Sequence, residues 1–323
     1  MFDWYRQTIL RKIQKTERKK LLISIGDSFT QGQGAYSEKL WEKCNWDVSQ
    51  IHQHSTREYE ISMYENSFVH QLCKTYMKDY IPINLGLAGK GNRYAVKELH
   101  LYPEINFDDC EDIIVIFMLT GMERFDFVDK NFTEQQHFTT MWPAFDPQGI
   151  DDESTKKLWM TYMESIYSDR FAIVELLLNV AEVKTWCKAN NAKLILSSAF
   201  RADYTRDNFI DKILGDLSDP ENKTFKNLEY VENLVDIIDW ENFLRPEGYK
   251  CFSDYLLHLE NRDDLIDDTD EGHRFHKFGY THKKLSPKKY ITNCAHPSFK
   301  GHCAIADVLN DYILKNINKK PLF

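Results

Sequence analysis

The stretch Leu21 to Gly34, Leu-Leu-Ile-Ser-Ile-Gly-Asp-Ser-Phe-Thr-Gln-Gly-Gln-Gly, constrains this chain most, because an apolar run stops abruptly at Gly-Asp-Ser within a glycine-rich turn. Residues 21–25, rich in Leu and Ile, suit a strand buried on both faces, as in a parallel sheet. The small residues that follow let the chain turn sharply and leave Ser28 at the carboxyl edge of that strand, where open α/β sheets bind ligands. Gly26, Gly32 and Gly34 let backbone amides near Ser28 come close to a bound carbonyl oxygen and donate to it. By itself the tripeptide fits two readings: an ordinary turn in which Ser28 caps a helix, or a turn that presents a nucleophile.

A second motif, near the other end, decides between them. Asn293-Cys-Ala-His296-Pro-Ser-Phe-Lys-Gly301-His302 leads into residues 304–314, whose apolar positions recur at helical spacing. His296 therefore sits in a loop just before a last helix. It either caps that helix or serves as a base, and His302 reads as structural. A serine early and a histidine late is the order expected when a sheet brings distant strand ends together, since the imidazole must reach the serine proton in space.

On these residues the chain resembles the SGNH hydrolases, also called the GDSL family. Gly26-Asp27-Ser28 matches the first family block, and His296-Pro297-Ser298 matches the last. Ile83-Asn84-Leu85-Gly86-Leu87-Ala88-Gly89-Lys90-Gly91-Asn92 looks like the second, with Gly89 at the oxyanion glycine. The resemblance implies an ester hydrolase in which His296 deprotonates Ser28 and the amides of Ser28 and Gly89 hold the oxyanion. It implies no metal and no cofactor.

Two positions depart from the family pattern. The third block normally reads Gly-x-Asn-Asp, whereas here the strand at 112–120 runs into Gly121-Met122-Glu123-Arg124, so Glu123 replaces the asparagine. An asparagine amide donates to the oxyanion; an ionised glutamate only accepts, and loss of one such donor costs roughly 10²- to 10³-fold in rate. Arg124 or the side chain of Asn92 is the candidate replacement donor, with Glu123 holding Arg124. This turn resembles one in SGNH-like proteins of large tailed phages. The last block normally supplies an acid as Asp-x-x-His, and here that position is Asn293. Asparagine accepts a hydrogen bond from imidazole but carries no charge, and the equivalent change in a serine protease triad lowers turnover by roughly 10⁴. A backbone carbonyl, or an acid of the insertion such as Asp267, Asp268 or Asp270, is the alternative group for orienting His296.

The resemblance therefore carries two functional expectations. The first is an esterase acting on a small-molecule or carbohydrate ester, with O-acetyl groups as the expected substrate. The second is a catalytically weak or inactive binding or structural protein on the same fold, such as a virion component.

The rest of the chain predicts the fold. Helical patterns at 58–80, 92–102 and 169–190 alternate with apolar runs at 81–85, 113–119, 192–198 and 234–239. That alternation describes parallel βαβ units, hence a three-layer α/β/α fold with a five-stranded, flavodoxin-like parallel sheet. One hydrolase-like domain is expected over 21–323, with insertions at about 125–168 and 201–292. Trp142, Pro143, Phe145, Pro147, Trp159 and Tyr162 in the first insertion, and Trp240, Phe243, Tyr249, Phe252 and Tyr255 in the second, either pack the insertions onto the body or wall a cleft.

Residues 1–20 mix Phe2, Trp4, Tyr5, Ile9, Leu10 and Ile13 with Arg6, Arg11, Lys12, Lys15, Arg18, Lys19 and Lys20, the pattern of a basic amphipathic helix. It is expected to fold against its own body, with self-association or partner docking as alternatives. No run suits a signal peptide or a membrane span, which predicts a cytoplasmic protein, or a virion-associated one if the source is a phage. A net charge of −9 argues against nucleic acid as a bulk partner. Seven cysteines without a Cys-x-x-Cys pair suit free thiols. His273, His276 and His282 beside Asp267, Asp268 and Asp270 contain metal-ligand chemistry, but the lysines around them fit a solvated polar loop better.

Overall fold

The computed structural model describes residues 3–16, 19–44, 56–100, 105–133, 136–141, 153–200, 203–215, 228–266, 289–292 and 296–317. The strands are β1 (Lys19–Ile25), β2 (Tyr80–Asn84), β3 (Cys110–Leu119), β4 (Phe125–Thr133), β5 (Gln136–Met141) and β6 (Lys193–Ser198). The helices of the amino-terminal half are α1 (Asp3–Gln14), α2 (Ser28–Gln31), α3 (Glu38–Lys43), α4 (Thr56–Asn66), α5 (Phe68–Thr75) and α6 (Asn92–His100). Those of the carboxyl-terminal half are α7 (Glu153–Ser165), α8 (Asp169–Ala189), α9 (Arg206–Leu214), α10 (Leu228–Val235), α11 (Phe252–Leu259) and α12 (Phe299–Tyr312).

A four-stranded sheet in the order β2-β1-β3-β6 forms the centre, and all of its pairings are parallel. Its strands have apolar residues on both faces, and successive residues enter opposite layers. Leu21, Ile23 and Ile25 join Val115, Phe117 and Leu119 in one core, with Tyr5, Val96, Leu176 and Val180 from helices. Leu22, Ile114, Ile116, Met118 and Ile195 enter the other, with Leu72, Phe252, Leu256, Ile305 and Leu309. The chain is thus an α/β protein with a parallel sheet covered by helices on both faces.

The expected fifth strand at 234–239 is absent. Val231 and Val235 are both buried four residues apart, so the apolar run belongs to the end of α10 and the turns that follow. The sheet edge beyond β6 is met instead by a single parallel bridge, Leu244 to Ser197, with Leu244 N donating to Leu196 O at 2.9 Å. The expected helix at 58–80 is two helices, α4 and α5, broken at Ser67. Within the first insertion, β4 and β5 pair as an antiparallel hairpin.

Of the described insertion aromatics, Tyr162, Trp240, Phe243, Phe252 and Tyr255 pack inward, while Trp159 and Tyr249 are half-buried. Tyr162 stacks on Phe125 with centroids 5.3 Å apart, and Trp240 meets Phe209 edge-on at 5.4 Å. Phe243, Phe252 and Tyr255 are buried. Trp142, Pro143, Phe145 and Pro147 lie outside the described residues. Helix α1 also packs onto the body, burying Tyr5, Ile9 and Ile13 in the core that holds β1 and β2. Among the described residues, no helix is long and apolar enough to cross a membrane.

Candidate active site

The turn after β1 is built around close contacts. Gly26 has φ +153, and a Cβ there would lie 2.3 Å from Thr30 Oγ1 and 2.8 Å from the carbonyl oxygen of Met118, so the strand top admits only glycine. The chain then enters α2 with Asp27, not Ser28, as its N-cap: the Asp27 carboxylate accepts from Phe29 N at 3.1 Å. This leaves the hydroxyl of Ser28 for another partner. That partner is His296, whose Nε2 lies 2.9 Å from Ser28 Oγ across 268 residues of sequence.

His296 is held by its own backbone. Its carbonyl oxygen accepts from Thr292 N at 2.9 Å and from Thr292 Oγ1 at 3.0 Å, and Pro297 bridges Ile291. The cap of α12 is Ser298, whose hydroxyl accepts from Gly301 N at 3.1 Å, so His296 has no capping role. Gly34 lets the two motifs approach from the other side. At φ +94, a Cβ on it would sit 2.5 Å from the carbonyl oxygen of Pro297 and 3.0 Å from His296 Cβ. The ring of Phe29 packs near the imidazole at 6.0 Å. Asn293 and Cys294 lie outside the described residues, as do Asp267, Asp268, Asp270, His273, His276 and His282.

The loop after β2 is fastened to the Ser28 turn. Asn84 Nδ2 donates to the carbonyl oxygens of Thr30 at 2.8 Å and Gln31 at 3.3 Å, while its Oδ1 accepts from Gly86 N at 3.0 Å. Gln31 Oε1 accepts from Ala88 N at 2.9 Å, and Leu87 N donates to Gly26 O at 3.2 Å. Gly89 follows at φ +75, and a Cβ there would meet no atom within 4 Å, so the glycine faces open space beside the Ser28 turn.

The third turn differs from expectation in how its side chains are used. Arg124 Nη1 donates to Asp27 Oδ2 at 2.9 Å and to the carbonyl oxygen of Lys90 at 3.1 Å, with its guanidinium 5.4 Å from the centroid of the Phe200 ring. Asp27 Oδ2 also accepts from Thr120 Oγ1 at 2.7 Å. Asn92 brackets the backbone of Thr120, accepting from its N–H at 3.0 Å and donating to its oxygen at 3.3 Å. The two side chains expected to replace the missing oxyanion donor are thus engaged in joining the strand tops. Glu123 curls over Gly121, where a Cβ would lie 2.4 Å from Glu123 Oε1.

Two acidic side chains with structural work here escaped sequence reasoning. Asp27 looks like a motif spacer, yet it ties the β1 turn to the β3 turn. Asp126, fully buried, caps α6 by accepting from Gly91 N at 3.0 Å and Tyr94 N at 2.9 Å, and it also accepts from Thr140 Oγ1. Burial raises its carboxyl above the ordinary range and lowers neighbouring Lys90. An aspartate two residues after an arginine gives no local signal of either role. His302 is fully buried, accepts from Phe68 N through Nδ1 at 3.2 Å, and is pushed down to about 3, chiefly by burial. It is a neutral structural imidazole.

Among the described residues, no group of three or more His, Cys, Asp or Glu is arranged to hold a metal ion. A cavity of about 340 Å³ beside β6, lined by Cys187, Leu194, Leu196, Tyr312 and Ile317 among others, includes none of the site residues.

No protein-family model matches this chain, and no curated protein does. Among solved structures, a crystal structure of an acetyl xylan esterase, AlAXEase, aligns with 90% of this chain and 98% of its own at 12% identity and a TM-score of 0.29. A likeness that distant carries no argument about activity. The chain's own architecture is a parallel α/β sheet whose carboxyl edge carries a serine hydroxyl paired with an imidazole.

Proposed function

We propose that this chain is a serine hydrolase of the SGNH type that cleaves carboxylic esters, with Ser28 as nucleophile and His296 as general base. One observation carries the reading: the 2.9 Å contact between Ser28 Oγ and His296 Nε2 at the carboxyl edge of the sheet. In the proposed sequence, His296 Nε2 takes the Ser28 proton as Oγ attacks the ester carbonyl carbon. The oxyanion accepts from the amides of Ser28 and Gly89, the former at the first turn of α2 where no intrahelical acceptor exists. The imidazolium then protonates the departing alcohol, and water, deprotonated by the same imidazole, releases the acid and frees Ser28.

Asn293 occupies the sequence position of the triad acid, so imidazolium formation lacks the charge that an aspartate supplies, and turnover is expected to be slow. With Arg124 and Asn92 engaged by Asp27 and Thr120, the oxyanion site of this reading consists of the two backbone amides. O-acetyl groups on a carbohydrate are the proposed substrate, on the strength of the motif resemblance alone.

The test is release of p-nitrophenol from p-nitrophenyl acetate, and of acetate from an acetylated sugar, by the wild-type chain beside Ser28→Ala. Turnover present in the first and abolished in the second supports the reading. Equal rates overturn it and assign the chain a binding or structural role.

A further inference from the structure

Helix α1 stands outside the βαβ pattern, yet it is joined to the loop that carries Gly89. Tyr5 is buried, with its ring stacked on Tyr64 at 4.3 Å and 19°, and its hydroxyl accepts from the N–H of Asn84 at 3.0 Å. Asn84 is the residue whose amide clamps the Thr30 and Gln31 carbonyls and whose oxygen receives Gly86 N. Tyr64 leads to the same place by a second route. Its hydroxyl accepts from Gln31 Nε2 at 3.5 Å, and Gln31 Oε1 accepts from Ala88 N at 2.9 Å. Gln31 is only 3% exposed, so its amide works in a water-poor setting.

From Tyr5, therefore, a hydrogen-bonded path through Asn84 and a second path that starts with the ring stack on Tyr64 converge on the segment immediately before Gly89, and both are anchored in the turn that bears Ser28. We propose that α1 is a positioning element of this site: its docking through Tyr5 fixes the 84–89 loop, with Tyr5 and Gln31 as positioning residues for the Gly89 amide. The physical reason is that an oxyanion donor acts only when preorganised, and a misplacement of about 1 Å costs on the order of 10²-fold in rate. Without the Ala88 N–H clamp the loop keeps Leu87 N to Gly26 O at 3.2 Å and Arg124 Nη1 to Lys90 O at 3.1 Å, but loses the 2.9 Å bond at the residue next to Gly89. The catalytic consequence rests on the hydrolase reading; the mechanical coupling does not.

Two substitutions in the full chain test it. Tyr5→Phe keeps the stacked ring and removes only the hydroxyl, and Gln31→Met keeps length and removes both polar atoms. Amide hydrogen exchange is followed residue by residue, with Arg11→Gln on the exposed face of α1 as control. Tyr5→Phe is expected to speed exchange roughly tenfold at Ala88 as well as at Asn84, because a buried donor left without its acceptor weakens the clamp beyond it. Exchange in β3 is expected to stay as in wild type. Both variants are also expected to lower kcat on p-nitrophenyl acetate roughly tenfold with KM unchanged. Wild-type exchange at Ala88 in Tyr5→Phe, or acceleration spread equally into β3, overturns the inference. If the wild-type chain shows no Ser28-dependent turnover, the hydrolase reading fails and the exchange result alone decides the coupling.

Discussion

Asp27 and Arg124 form an ion pair at 2.9 Å in which the carboxylate is fully inaccessible and the guanidinium is 14% exposed, as side chains. The pair joins the turn after β1 to the turn after β3, and Thr120 Oγ1 donates to the same carboxylate oxygen. Removing the cation would strand a buried charge. Arg124→Ala is therefore expected to lower stability by about 3–5 kcal/mol, and Arg124→Lys to recover only part, since a point charge lacks the planar fork that also reaches Lys90 O. Urea unfolding measures this, and a loss below about 1 kcal/mol would contradict a structural role for the pair.

Gly34 tests the approach of the two motifs. Alanine there meets a left-handed φ of +94 together with contacts at 2.5 Å and 3.0 Å to Pro297 and His296, so the His296 loop must move away. Gly34→Ala is expected to lower Ser28-dependent esterase turnover by about 10²-fold with a stability loss of about 1–3 kcal/mol. Wild-type turnover in a folded Gly34→Ala protein would show that this contact does not set the geometry.

His302 predicts an acid limb of stability. Its imidazole ionises near 3 in the folded chain and near the ordinary 6.5 when unfolded, chiefly because burial disfavours the charged form. The unfolded state therefore binds the extra proton between those values. The contribution of this group is fully present above pH 6.5 and is lost progressively toward pH 3, with a limiting slope of about 1.4 kcal/mol per pH unit. Denaturation midpoints across that range should show a shallower fall for His302→Gln than for the wild-type chain; parallel curves would refute the assignment.

The strands are legible in the sequence where burial on both faces removes helical periodicity, as in Leu21 to Ile25 and Ile113 to Leu119. The same logic misleads at 234–239, because Leu234 and Val235 finish a helix whose inward positions are set by Val231, and it is Leu244 that bridges the sheet edge. Ser28 and His296 stand out because each lies at a break in pattern, a glycine turn in one case and a Pro-Ser helix start in the other. What Asp27, Asp126, Gln31 and Tyr5 do is not legible. Each acts through a hydrogen bond to a residue far along the chain, and such bonds leave no local spacing. For the same reason the bonds of Arg124 to Asp27 and of Asn92 to Thr120 are not legible in the sequence.

Asn293 offers a gain-of-function prediction drawn from its sequence position. If the imidazolium lacks a countercharge there, Asn293→Asp is expected to raise kcat on an activated ester by at least tenfold, against the roughly 10⁴-fold that the reverse change costs in a serine protease triad. Steady-state kinetics on p-nitrophenyl acetate would measure it. An unchanged or lower kcat in a folded variant would mean that another group orients His296.

Activation of Ser28 by His296 is read out by a serine-directed fluorophosphonate probe, with the adduct located by intact mass and peptide mapping. One adduct is expected at Ser28 in the wild-type chain, formed at least 10²-fold more slowly in His296→Gln and absent from Ser28→Ala. Labelling of Ser28 at the same rate with and without the imidazole, or no labelling of Ser28 at all, would contradict it.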